Sequence, residues 1–175
     1  MEEKRDSGGG RKSENDNLIT LKEMLRQNGH EECRGMVLKM DVEGAEWEAL
    51  CSMDEQIFLQ FDQIVIELHE LLNLNLKDKI LKSLKKLNDI YAVVHLHGNN
   101  SNAVEFCGEL ITPNVLEATL VRRDKYEFVE SQIILPRIID RSCVECFPDI
   151  KLGCWNIKLK EENPQIKEAE EVIGL

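Results

Sequence analysis

Three apolar runs along the chain share one design, because each of them ends in polar side chains. They cover residues 36–41, 62–69 and 90–98. Runs that are apolar on both faces are typical of parallel strands buried between helices. A fourth run, over 115–121, follows a loop that contains Pro113 and no helix long enough for a crossover. We therefore expect this fourth strand to be antiparallel to the others.

Helical periodicity separates the apolar runs. Thr20 and Glu23 have the spacing of a capping box and predict a short amphipathic helix over 20–28. A second short helix is expected to begin near Glu46, and a longer one covers 76–87. The inward face of the longer helix is predicted to carry Leu76, Ile80, Leu81, Leu84 and Leu87. Strands that alternate with helices predict an α/β fold with right-handed crossovers.

The two polar ends of the chain lie on either side of one predicted domain. We expect 1–17 to be a disordered tail, 18–158 to form the domain and 159–175 to be a charged tail or a marginal helix. Within the domain, 126–158 is predicted to be irregular, with at most one short strand. A length of 175 residues is enough for a sizeable core.

The charge balance narrows the function classes. The chain has 22 Lys+Arg against 33 Asp+Glu and a formal net charge of -11, which argues against a general nucleic-acid binder. No apolar run is long enough to span a membrane, and the first residues lack the apolar segment of a signal peptide. We therefore expect no nucleic-acid partner and no membrane span in this chain.

Six cysteines are too few and too dispersed for a disulfide scaffold. Most lie in apolar or strand-like stretches, so we expect small buried thiols in a reducing, cytoplasmic compartment. Cys143, Cys146 and Cys154 could supply three zinc ligands. No second pair of cysteines and no nearby histidine completes that set, so no resident metal is predicted.

The polar residues that follow the strands are the candidate site, because ligands of open α/β sheets bind outside the carboxyl ends of the strands. The side chains expected there are Asp41, Glu43, Glu67, His69, His95, His97, Asn99 and Asn100. Carboxylates and imidazoles at one rim suit general-base chemistry on a hydroxyl, or a divalent cation.

Structural alternatives stay open for several of these residues. Asp41 could instead cap the helix that follows Gly44, whose position in a tight turn favours glycine in either case. Glu67 ends an apolar run, where an unpaired carboxylate is costly, so it is expected to be functional or ion-paired. Trp47 is expected to be core packing. A metal-dependent hydrolase would require Asp41, Glu67, His69 and His97 to converge on one ion.

Residues 39–50, with the sequence KMDVEGAEWEAL, resemble the hallmark segment of the FkbM-type methyltransferases. These are S-adenosylmethionine-dependent enzymes with the class I Rossmann-like fold. The segments 64–69 and 97–100 match the next strand ends of that family in order and spacing. The resemblance extends over about 18–125.

The resemblance implies a cofactor, a substrate class and residue roles. S-adenosylmethionine would be the cofactor, and the reaction would be O-methyl transfer to the hydroxyl of a small molecule or sugar. The implied catalytic residues are Asp41, Glu67 and His69. The implied cofactor-binding residues are Asp41, Glu43 and Gly44. The implied acceptor-binding residues are His97, Asn99 and Asn100.

The resemblance also implies a fold, namely a partial Rossmann-like class I methyltransferase sheet. It would have three parallel strands, one antiparallel strand inserted between the last two of them, and helices on both faces. The glycine-rich turn that binds the cofactor in this family has no counterpart before residue 36, so we expect the N-terminal strands to be missing. The first strand would then be an exposed edge, open to self-association. Because the cofactor-binding half would be absent, inactivity of this chain as a transferase stays an open alternative, and the alternative function is a non-catalytic, methyltransferase-like interaction module.

Overall fold

The computed structural model describes residues 19–101, 104–107, 110–129 and 131–157. The predicted tails, 1–17 and 159–175, lie outside these residues. The chain divides into two compact units, with the boundary between Glu32 and Cys33.

The described part of the first unit contains helix α1, Leu21–Gln27. Its N-cap is Thr20, whose hydroxyl oxygen accepts a hydrogen bond from the Glu23 backbone N–H at 3.2 Å. Gly29 follows the helix with a φ of 69°, a left-handed conformation that favours glycine. The predicted short helix and its N-cap are confirmed.

The second unit contains the sheet. Its helices are α2 (Glu46–Ser52), α3 (Glu55–Phe58) and α4 (Lys77–Ile90), and a short 3₁₀ helix covers Leu74–Leu76. Its strands are β1 (Met36–Met40), β2 (Phe61–Leu68), β3 (Tyr91–Gly98), β4 (Val104–Cys107), β5 (Leu110–Pro113), β6 (Leu116–Arg122), β7 (Ser131–Leu135) and β8 (Gly153–Ile157). None of the helices in the described part of the chain combines the length and apolar character needed to cross a bilayer.

Four strands form one mixed sheet in the order β1-β2-β6-β3. Strands β1 and β2 are parallel, and β6 runs antiparallel to both β2 and β3. Three strands therefore point in one direction, and the single antiparallel strand lies between two of them. The predicted α/β class, the four strands and the direction of the fourth are confirmed. The carboxyl ends of β1, β2 and β3 meet at one edge of the sheet.

Helices α2 and α4 pack against each other through a small side chain. Ser83 of α4 is fully buried, and its hydroxyl lies 3.3 Å from the Cys51 sulfur and 3.4 Å from the Trp47 carbonyl oxygen. The buried stripe of α4 is Ile80, Ser83 and Leu87. The expectation that Leu81 and Leu84 point inward is wrong, because the close contact at Ser83 turns both of them towards solvent.

Two further expectations from the sequence are wrong. In β1, Leu38 and Met40 are buried, whereas Val37 is 62% exposed, so this strand is not covered on both faces. Residues 126–158 are not merely irregular, because β7 and β8 form a two-stranded antiparallel sheet. Strands β4 and β5 form a second such pair, which the sequence analysis did not identify. These strands are only four or five residues long, so they leave little periodicity in the sequence.

The start of β3 is anchored by a buried phenol. The Tyr91 hydroxyl lies 2.5 Å from the Phe58 carbonyl oxygen and 3.0 Å from that of Phe61. Its ring packs edge-on against the Phe58 ring, with the centroids 6.4 Å apart. Burial raises the pKa of Tyr91 above its ordinary value.

This buried phenol predicts a loss of stability in alkali. Above about pH 10 the unfolded chain releases the Tyr91 proton while the folded chain retains it, so the free energy of unfolding falls by about 1.4 kcal/mol per pH unit. Denaturant titrations between neutral pH and alkali should show this fall in the parent chain. Tyr91→Phe should lose the part of this fall that comes from the Tyr91 proton. Tyr126→Phe, which changes a half-exposed ring, should retain that part. Equal slopes in the parent chain and Tyr91→Phe would contradict the assignment.

Candidate functional site

A row of polar side chains crosses the sheet near the carboxyl ends of its parallel strands. Glu67 of β2 pairs directly with Glu117 of β6, and Glu117 pairs with His97 of β3. Asp41 is the first residue after β1 and is level with Glu67, because the last residue of β1 pairs with the residue before Glu67. Directly paired residues project from the same face of a sheet. The row therefore presents Asp41, Glu67, Glu117 and His97 on one side.

His69, just beyond the end of β2, lies among the carboxylates at one end of this row. Its Nε2 atom is 3.5 Å from a Glu43 oxygen, 3.9 Å from an Asp41 oxygen and 4.0 Å from a Glu67 oxygen. The His69 side chain is 11% exposed, whereas the side chains of Asp41 and Glu43 are 42% and 87% exposed. The buried His69 ring thus directs Nε2 towards the carboxylates of Asp41, Glu43 and Glu67, which together form an open acidic rim.

The other ring nitrogen of His69 faces Glu46, which is fully buried at the start of α2. One Glu46 oxygen accepts the His69 backbone N–H at 2.6 Å and lies 3.2 Å from His69 Nδ1. The second oxygen accepts the Gly44 backbone N–H at 2.9 Å. The nearest carboxylate to either ring nitrogen is that of Glu46, which can only accept hydrogen bonds, so we infer that the neutral ring carries its proton on Nδ1 and presents the Nε2 lone pair to the rim.

Trp47 completes the support of His69 from the same helix. Its indole N–H donates to the His69 carbonyl oxygen at 2.7 Å, and its side chain is 1% exposed. The expectation that Trp47 is a core residue is confirmed, and its polar atom also holds the end of β2. Both main-chain polar groups of His69 are therefore bound by side chains of α2.

The turn between β1 and α2 is built from two left-handed residues. Glu43 has a φ of 51° and Gly44 a φ of 98°, and the second value requires glycine. The alternative that Asp41 caps α2 is wrong, because the N-cap is Ala45 and makes no side-chain hydrogen bond. Asp41 instead lies 3.6 Å from the Lys39 ammonium and near His69. Its carboxylate is left free of the helix and faces the rim.

Glu67 is paired, as expected for a carboxylate that ends an apolar run. The Asn99 amide donates to a Glu67 oxygen at 2.7 Å, and the Asn99 carbonyl oxygen accepts the Ser101 backbone N–H at 2.9 Å. Asn100 performs a different task. Its amide group donates to the carbonyl oxygens of Val144 and Phe147, and its oxygen accepts the Val144 N–H. It thereby fastens the 143–148 turn to the end of β3.

His97 belongs to a second group at the other end of the row. Its Nδ1 atom lies 3.3 Å from a Glu117 oxygen and its Nε2 atom 3.0 Å from an Asp149 oxygen. Cys143 donates to the other Glu117 oxygen at 3.2 Å. The four side chains of the hydrolase alternative are thus divided, since Asp41, Glu67 and His69 come together but His97 joins Glu117 and Cys143.

The expectation of small buried thiols is wrong for the five cysteines whose side chains the structure describes, and Cys107 lies outside that description. Cys143, Cys146 and Cys154 are exposed, and Cys33 and Cys51 are half-buried. Burial of the sulfur, together with the adjacent Glu117 carboxylate, raises the pKa of Cys143 to about 11. Beside the turn that carries Cys143 lies a cleft of about 410 Å³, which Asn100 and Asp149 help to line.

Sequence reasoning did not single out Glu46, Glu117 or Asp149. The signal for Glu46 is its place between Ala45 and Trp47, where helical spacing puts it on the same buried side as Leu50. The signal for Glu117 is the one that identified Glu67, namely a lone carboxylate within an apolar strand. Asp149 lies in a loop and leaves no comparable pattern.

Comparison with known proteins gives one finding. The family model for the methyltransferase FkbM domain matches residues 2–99. The match therefore includes Asp41, Glu43, Glu46, His69 and His97. No curated protein and no solved structure matches this chain.

The buried carboxylate at the centre of this site predicts a clear stability difference between two neighbouring glutamates. In Glu46→Gln, either an amide N–H₂ group takes the place of the oxygen that accepts two N–H groups, or a neutral amide oxygen accepts them more weakly than the carboxylate does. The free energy of unfolding should therefore fall by about 1–3 kcal/mol. Glu48→Gln is the matched control, because Glu48 lies on the same helix but is exposed and pairs with Lys79 at the surface.

Denaturant titration of both variants checks this expectation. The Glu48→Gln chain should unfold at the same denaturant concentration as the parent chain. Equal midpoints for Glu46→Gln and Glu48→Gln would show that the Glu46 network does not stabilise the fold.

Proposed function

This chain belongs to the methyltransferase FkbM family, and from that premise we propose that it transfers a methyl group from S-adenosylmethionine to the hydroxyl of a small molecule or sugar. The product would be an O-methyl ether. The observation that carries the proposal is the orientation of His69, whose Nε2 faces the open rim while Glu46 holds Nδ1.

His69 is the proposed base. A hydroxyl must lose its proton as its oxygen attacks a methyl group, and an imidazole with an exposed lone pair can accept that proton. Glu46 is a positioning residue, since it fixes the ring through Nδ1 and the backbone. After proton transfer the imidazolium would lie among the carboxylates of Asp41, Glu43 and Glu67, which favour a positive charge.

The acidic rim also fits the charge of the proposed cofactor. S-adenosylmethionine supplies a methyl group on a sulfonium that is already activated for transfer. Asp41 and Glu43 have exposed carboxylates beside His69, and a cationic sulfonium is stabilised by such groups. Gly44 supplies the left-handed turn that follows these two carboxylates, with a φ of 98°. We assign Asp41, Glu43 and Gly44 to this end of the cofactor.

The acceptor is proposed to lie over Glu67. The Asn99 amide fixes the Glu67 carboxylate at 2.7 Å, which leaves the second Glu67 oxygen to accept a hydrogen bond from a substrate hydroxyl. Asn99, Asn100 and His97 were expected to bind the acceptor directly. Because their side chains hold Glu67, the 143–148 turn and Asp149, respectively, we propose that they shape the acceptor side by positioning these groups.

We further propose that the four-stranded sheet corresponds to the last four strands of a class I methyltransferase. The order β1-β2-β6-β3, with one antiparallel strand inserted between two parallel ones, supports this correspondence. On this basis β1 is the strand that places the hallmark segment, and its end delivers Asp41 to the methyl group.

Cofactor binding tests the proposal, with calorimetry on the 175-residue chain. S-adenosylmethionine should bind with micromolar affinity. Asp41→Asn should weaken S-adenosylmethionine about fivefold, the effect of about 1 kcal/mol for a partly exposed charge pair. The same variant should hardly change the affinity for S-adenosylhomocysteine, whose sulfur is neutral. Glu48→Gln is the control and should bind both compounds as the parent chain does.

Two results would contradict this assignment. An equal loss of affinity for both compounds in Asp41→Asn would remove Asp41 from the sulfonium. No detectable binding by the parent chain would favour the alternative, an interaction module. That alternative has one structural argument, since β1 pairs only with β2 within the described residues and Val37 is 62% exposed.

A further inference from the structure

The second group of the polar row contains three different metal-ligating atoms. His97 Nδ1 lies 3.3 Å from one Glu117 oxygen, and the Cys143 sulfur lies 3.2 Å from the other. One atom from each of the three side chains falls within 4.8 Å of the other two. We propose that His97, Glu117 and Cys143 bind a divalent cation of the zinc type. The proposal does not depend on methyl transfer, because none of the three is the proposed base.

The spacing of these atoms suits a tetrahedral ion. Zinc binds imidazole nitrogen and carboxylate oxygen at about 2.0–2.1 Å and thiolate sulfur at about 2.3 Å, so neighbouring ligand atoms lie about 3.3–3.6 Å apart. The Nδ1–oxygen separation of 3.3 Å and the sulfur–oxygen separation of 3.2 Å are each close to those edges, but they involve different oxygens of Glu117. Small rotations of Glu117 and Cys143 would open the group enough for the ion.

The chemistry of the donors favours zinc over magnesium or calcium. Magnesium and calcium prefer oxygen ligands, whereas a sulfur, a nitrogen and an oxygen together suit a borderline-soft ion. Cys143 is exposed and gives the ion a route from solvent, while His97 is 4% exposed and supplies a fixed ligand. Three protein ligands leave a fourth position open.

Asp149 provides the second contact that histidine ligands of metals commonly have. Its oxygen lies 3.0 Å from His97 Nε2, so Nε2 donates to Asp149 and the lone pair of the neutral ring is on Nδ1. That lone pair faces the Glu117 carboxylate, which is itself an acceptor. A cation between these two acceptors makes the contact favourable.

The fold holds Cys143 in place through Asn100. The Asn100 side chain is buried, and it binds both the N–H and the carbonyl oxygen of Val144, the next residue after Cys143. The position of the sulfur is therefore set by a residue that lies just after β3, the strand that supplies His97. Glu117 is fixed by its pairing with His97 in the sheet. The backbone of the sheet and of the 143–148 turn thus holds all three ligand side chains in place.

Cobalt is the probe, because a cobalt–thiolate bond gives a charge-transfer band in the near ultraviolet. Titration of the metal-free 175-residue chain with Co²⁺ should produce this band, with saturation at one ion per chain. Zn²⁺ should displace the cobalt and abolish the band. Cys143→Ser should abolish the band, whereas the control Cys51→Ser should retain it, since Cys51 lies on α2 beside Ser83.

Two further variants distinguish a metal site built by several side chains from metal binding by a single thiol. Glu117→Gln and Asp149→Asn should each weaken cobalt about tenfold or more while the band at saturation remains, because the first removes a charged ligand and the second an orienting group. Circular dichroism of each metal-free variant confirms that it is folded. The proposal fails if the parent chain gives no cobalt band. It also fails if Cys143→Ser keeps the band.

Discussion

A fully buried carboxylate, Glu46, is the constraint on which the candidate active site depends. A charged group without access to water must be surrounded by donors, and Glu46 has three, from Gly44 and from the backbone and ring of His69. These contacts join the turn after β1 to the end of β2. The same helix turn supplies Trp47, whose indole holds the His69 carbonyl oxygen. The orientation of the proposed base is thus a consequence of how this carboxylate is satisfied.

The polar row explains why two kinds of chemistry lie side by side. Glu67 and Glu117 are directly opposite each other on neighbouring strands, an arrangement that repulsion between like charges opposes. Each carboxylate has its own donor, Asn99 for Glu67 and Cys143 for Glu117. Glu67 therefore lies with His69 at one end of the row, and Glu117 lies with His97 at the other end. We infer that the first half serves methyl transfer and that the second half binds a cation.

The sequence was sufficient for the strands and for the side chains that follow them. Long apolar runs predicted β1, β2, β3 and β6, and polar residues at their ends identified Asp41, Glu67 and His69, which the structure brings together. Periodicity could not identify the exposed leucines of α4, because the contact at Ser83 decides which side of that helix is buried. It also missed the β7–β8 pair, whose strands are separated by a long loop.

The sequence could not predict which side chains contact each other across the sheet, and the reason is different. The family resemblance implied the insertion of β6 between β2 and β3, but whether His97 meets His69 or Glu117 depends also on the register of β6. A residue pattern within one strand contains no information about that register. Glu46 was missed because an acidic residue at a helix start is ordinarily a solvent-exposed group that favours the helix dipole. Its burial follows only from the packing of α2 on the sheet.

The most direct measurement is the tautomer of His69, read from nitrogen–proton correlations in a ¹⁵N NMR spectrum at a pH where the ring is neutral. The account predicts a proton on Nδ1 and a bare Nε2, because Glu46 can only accept a hydrogen bond. Assignment of the signal follows from its loss in His69→Gln. A proton on Nε2 would contradict the account, since the nitrogen that faces the acidic rim could then not act as the base.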